Sequence, residues 1–115
     1  MTLIQMAFLL LAAGACGGLL MTFLVAVRVR YPSLLGSGHG LAGLLGLALL
    51  YVAHLRGAAP EGPWWGVIVI TFAMLGGRVL LRTLFAEKIP LVVALAHGGL
   101  AGFGLYLIYP LAFAS

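Results

Sequence analysis

Four uninterrupted apolar runs, Thr2–Val27, Ser33–Leu55, Trp64–Ala86 and Ile89–Phe113, take up almost the whole chain. Each is longer than the roughly 20 residues a helix needs to cross about 30 Å of hydrocarbon at 1.5 Å per residue. Of the 115 residues, 64% are hydrophobic and 7% charged, and the mean hydropathy is +1.24. A water-soluble domain of this size has too little interior to hide that much apolar surface. The runs are continuous and do not alternate apolar with polar, which excludes the strands of a membrane barrel. The connections Arg28–Pro32, Arg56–Pro63 and Glu87–Lys88 are short, so successive helices must run antiparallel. The expected fold is an all-α integral membrane protein, a four-transmembrane-helix bundle forming one membrane domain over residues 1–115.

The first run reads as a span and not as a leader. It lacks a basic N-terminal region, and its apolar stretch is too long for a signal peptide. Ala13-Gly14-Ala15-Cys16 resembles a lipoprotein cleavage box only faintly, with alanine where leucine is wanted. Cys16, the single cysteine, excludes an intrachain disulfide and is expected to be a small packing residue between Gly14 and Gly17. Arg28, Arg30, Arg82 and Lys88 flank the first and third connections, whereas the middle one carries Arg56 balanced by Glu61. The positive-inside bias then puts loops 28–32 and 87–88 in the cytoplasm and both termini on the non-cytoplasmic side, in a bacterial inner membrane. The net charge of +4 is thereby a topology signal, and nucleic acid is not an expected partner.

The two halves match each other. In the frame that lays His39 on His97, Pro32 falls on Pro90, Gly40 on Gly98, Gly46 on Gly104, Leu47 on Leu105 and Tyr51 on Tyr109. Leu50/Ile108 and Arg30/Lys88 are conservative matches in the same frame. Two tandem helix hairpins, about 1–55 and about 60–113, would bring both imidazoles to one depth if a pseudo-two-fold axis ran along the membrane normal. Two histidines facing each other inside a bundle are a natural pair of axial ligands for a haem. A duplicated hairpin would leave the same pair behind for plain hydrogen bonding. His54, near the far end of the second run, is expected to be interfacial.

Seventeen glycines prepare the helices for close contact, with small-xxx-small pairs at Gly14/Gly18, Gly36/Gly40, Ala42/Gly46, Ala73/Gly77 and Gly98/Gly102. In lipid, helix association depends on such packing, because the hydrophobic effect gives helices no reason to meet. Gly36, His39, Gly43 and Gly46 fall on one helical stripe, as do Ala94, His97, Ala101 and Gly104. A smooth stripe beside each histidine would leave a flat macrocycle clearance at Gly43, Gly46, Ala101 and Gly104. Arg78 and Arg82 lie one turn apart in the same half of the bilayer and are candidate partners for haem propionates. Snorkelling to lipid headgroups would satisfy them as well. Trp64 and Trp65 are expected to form an aromatic-belt anchor.

The chain has two carboxylates, both in loops or at helix ends, so no nucleophile–base–acid set exists and an enzyme is not expected. A histidine-only zinc or copper site is disfavoured, since neither residue has a second ligand at i+3 or i+4. Small multidrug exporters share the length and helix count but need a glutamate in the first helix, where this chain has Gln5. In length and helix number the chain resembles membrane anchors of respiratory complexes and small cytochrome b-type subunits, without their ligand motifs. The expected function is a small integral membrane subunit of a larger redox complex, an electron carrier with one haem b on His39 and His97. The alternative is a cofactor-free accessory subunit, with a small transporter or pore further behind. The expected partners are the lipid bilayer and other membrane subunits or further copies of the chain.

Overall fold

Thr2 opens the first helix through a reciprocal cap in the computed structural model, which describes residues 1–58, 64–85 and 88–114, the side chain of Arg82 excepted. The Thr2 hydroxyl accepts from the Gln5 amide at 3.1 Å, and the Gln5 side-chain oxygen accepts from the Thr2 amide at 3.0 Å. Two otherwise orphaned donors are satisfied. Helix α1 runs Leu3–Ala26, α2 Ser33–Leu55, α3 Trp65–Gly76 and α4 Leu91–Phe113, and no strand occurs among the described residues. Gln5 also donates to the Ala112 carbonyl at 3.0 Å, tying the start of α1 to the end of α4.

The helices end and restart by matching devices. Arg28 (φ 59°) and Gly57 (φ 71°) take the left-handed conformation just past α1 and α2. The next amide then turns back, Val29 to the Leu24 carbonyl at 2.9 Å and Ala58 to that of Ala53 at 3.1 Å. This closure satisfies carbonyls the helix end would otherwise leave bare. Pro32 and Pro90 precede α2 and α4 in extended conformations. Their fixed φ and missing amide suit a position just outside a helix.

The third run departs from expectation. A continuous helix over Trp64–Ala86 was expected, but α geometry stops at Gly76 and Gly77–Leu84 continues as a π-helix. The Phe85 amide bonds to the Leu80 carbonyl at 2.9 Å, and the Thr83 hydroxyl donates to Arg78 at 3.2 Å, both five residues back. The change begins beside tandem Gly76–Gly77, both still in α conformation, where glycine's weak helix preference does little to hold the α pattern. Helices α1, α2 and α4 are long and apolar enough to cross a membrane, and Trp65–Leu81 is a shorter apolar helix. The connections expected at Arg56–Pro63 and Glu87–Lys88 lie mostly outside the described residues, with Glu61 and Glu87.

Helix α1 packs between α2 and α4, and α3 packs on α4 and more lightly on α2, so α1/α3 and α2/α4 are the two diagonals of the bundle. The tightest core occupies the end nearer the termini, around Leu50 and Ile108, both 0% exposed. There aliphatic side chains enter glycine notches. A Cβ on Gly46 would lie 2.6 Å from Leu11 Cγ, one on Gly104 2.5 Å from Ile70 Cδ1, and one on Gly66 2.6 Å from Ile108 Cγ1. Trp64 is buried and closes this core, while Trp65 is 62% exposed; only the second can be a belt residue. Cys16 is exposed and packs between no glycines. Its neighbours Gly14 and Gly17, two positions away and one, turn toward α2 instead.

Candidate histidine site

His39 lies in the second turn of α2 and His97 in the second turn of α4. These helices are diagonal, so their imidazoles meet across the bundle, with ring centroids 6.1 Å apart and planes 79° from parallel. Each ring rests on a glycine of its hairpin partner. A Cβ on Gly18 of α1 would lie 2.9 Å from His39 Cε1, and one on Gly77 would lie 2.7 Å from His97 Cε1. Any larger residue at either position would have to push the imidazole away. Spacing alone did not assign Gly18 and Gly77 to the histidines. The available signal was that Gly14/Gly18 and Ala73/Gly77 are small pairs in corresponding helices.

The hydrogen bonds of the two rings differ. His39 Nδ1 lies 2.7 Å from the Gly14 carbonyl oxygen, one turn before Gly18. That acceptor fixes the proton on Nδ1 and leaves the lone pair on Nε2. The His97 ring lies beside the backbone of Ala73, one turn before Gly77. Its Nδ1 is buried.

The glycine stripes expected on α2 and α4 divide. Gly46 and Gly104 border no open space, because Leu11 and Ile70 fill their notches. The expected clearance for a macrocycle is therefore absent there: the two stripes serve helix packing at that level. Gly43 stands against the Met74 methyl, which a Cβ would approach to 3.4 Å, and Ala101 is half-buried. Side-chain-free positions flank the rings on the other diagonal, at Gly18 and Gly77. Arg78 follows Gly77 directly and is exposed on the bundle surface; the side chain of Arg82 lies outside the described residues. His54 is exposed near the opposite end and meets Trp64 edge to face, centroids 5.0 Å apart. No group of three or more His, Cys, Asp or Glu gathers among the described residues.

Comparison with protein-family models, curated proteins and solved structures gives no match to this chain.

Proposed function

We propose that the chain is a four-span integral membrane protein in which His39 and His97 are axial ligands of one haem b, serving as an electron carrier inside a larger redox assembly. The observation that carries this is the 6.1 Å separation of the two imidazole centroids across the bundle diagonal. Two imidazoles this close across the bundle would be able to hold one metal centre between them.

The hydrogen bonding of His39 supports the reading. The Gly14 carbonyl orients His39 as a ligating histidine is usually oriented, through the nitrogen that does not bind. The imidazoles themselves occupy the side-chain-free positions at Gly18 and Gly77, so a flat ligand would require the rings to move off those glycines. Arg78, which follows Gly77 in sequence and is exposed, is the proposed partner of a propionate. A bound haem would supply one-electron exchange at its iron. The helices would hold it, fix the ligand orientation and keep water away.

Arg28, Arg30 and Lys88 lie at the same end of the bundle as the histidines, which favours that end as the cytoplasmic one in a bacterial inner membrane. Matching His–Gly and Gly–aliphatic contacts in the two hairpins support descent from one duplicated hairpin. A cofactor-free accessory subunit is favoured by one separate observation: Gly98, Gly99 and Gly102 on α4 have open space beside them, a smooth face suited to another membrane helix.

The test is a dithionite-reduced minus oxidised visible spectrum of protein purified gently from its native membrane, with a pyridine haemochrome assay. A sharp reduced b-type α-band, its low-spin form lost on replacing either His39 or His97, is expected. A featureless spectrum would leave the accessory subunit in front.

A further inference from the structure

We infer that, in the chain without haem, His39 and His97 hold one bare copper(I) ion, with the Met74 thioether as a third ligand. The rings are taken where they stand on Gly18 and Gly77, so this site is independent of the haem reading and can fail separately from it.

A bare ion needs only the gap between the rings, whose centroids are 6.1 Å apart across the bundle. Local spacing placed no second ligand beside either histidine; the fold brings one from the diagonal helix. Both rings are also supported from behind in matching ways. His39 Nδ1 meets the Gly14 carbonyl at 2.7 Å, one turn before Gly18. The backbone of Ala73, one turn before Gly77, stands in the same relation to His97. A backbone carbonyl on one imidazole nitrogen fixes the ring and leaves the other nitrogen free to ligate.

Met74 supplies the third donor. It follows Ala73 in α3, and its methyl reaches α2, where a Cβ on Gly43 would lie 3.4 Å from it. Gly43 is one turn beyond His39, so the thioether lies in the layer next to the ring pair. Met74 is half-buried, as are His39 and His97.

The donor set selects the ion. Thioethers select copper(I), and imidazole suits copper as well. No group of three or more His, Cys, Asp or Glu gathers among the described residues, so a tetrahedral zinc site lacks its ligands. Charge points the same way. With no anionic ligand, a divalent ion inside the bundle would cost far more to bury than a monovalent one. Binding forms two copper–nitrogen bonds and one copper–sulfur bond from lone pairs of neutral groups, so no electron is transferred and no proton leaves.

The probe is copper(I), titrated anaerobically against a colorimetric chelator into the full chain in detergent, produced in a haem-deficient host. A Cys16→Ser background removes the exposed thiol, which would bind the same ion. One equivalent per chain is expected. His39→Ala and His97→Ala should each weaken binding by more than the about 10–100-fold that losing an outer-shell contact typically costs. Met74→Leu, close in volume, should bind less tightly. Copper X-ray absorption of the Cys16→Ser chain keeps both histidines, and so serves even if a histidine variant fails to fold. Nitrogen neighbours with one sulfur are expected, and the sulfur should be lost in Met74→Leu. No stoichiometric binding, unchanged affinity in both histidine variants, or displacement of copper(I) by equimolar zinc overturns the inference. A copper shell without sulfur while Met74 is present overturns the third ligand.

Discussion

Gly18 and Gly77 carry as much of the candidate site as the histidines do. Gly18→Ala and Gly77→Ala each force a methyl against an imidazole carbon, at 2.9 Å and 2.7 Å on the present backbone. Overpacking of this kind costs about 1–3 kcal/mol. Gly98→Ala meets open space, so helix preference alone acts there and should add up to about 1 kcal/mol. Unfolding of the three variants in mixed detergent checks the ordering; equal effects at Gly77 and Gly98 would contradict the cradle. His39 and His97 stood out in the sequence because a polar ring inside an apolar run is conspicuous. The cradle glycines did not stand out, since seventeen glycines are chemically alike until a neighbour is known. The Gly14 carbonyl has no side-chain signal at all.

At the scale of elements, apolar run length and short connections made α1, α2 and α4 legible. Ser33–Leu55 was read with the bounds the helix has, and the outer two runs shortened by a residue or two at their ends. The π-helix was not foreseen, because hydrophobicity does not distinguish i→i+4 from i→i+5 bonding. The left-handed closures yield a prediction of their own. Gly57→Ala places a Cβ at φ 71° and should lower stability by about 1–2 kcal/mol. Arg28→Gly should have the opposite sign, because arginine already bears that strain at φ 59°. Thermal unfolding of both variants in one detergent tests the pair. The notches predict further that Leu11→Ala and Ile70→Ala, by emptying Gly46 and Gly104, each cost about 2–5 kcal/mol. A loss under 1 kcal/mol would show that the helices close over the gap.

For the whole molecule, packing is uneven along the bundle. Aliphatic knobs fill the end nearer the termini, while two imidazoles on bare glycine occupy the other half. Aliphatic packing and the histidine pair thus lie toward opposite ends, and core substitutions such as Leu11→Ala should loosen the protein without removing the pair. The proposed orientation makes a separate prediction. In a Cys16→Ser background, Tyr31→Cys should react with a membrane-impermeant thiol reagent from the cytoplasmic side and Arg56→Cys from the opposite side. Labelling of both from one side would end the four-span topology.

The chain's sequence alone determined that it is helical and that its helices are antiparallel. Those properties follow from hydropathy, run length and loop length, which are local along the chain. Tertiary structure decided which helices are diagonal, and so that the two rings meet at 6.1 Å. It also decided that Gly46 and Gly104 receive side chains while Gly18 and Gly77 receive the imidazoles. Helix rotation sets these outcomes, and rotation is fixed by the combined packing of all four helices, which are apolar all round so that no local pattern marks the inner face.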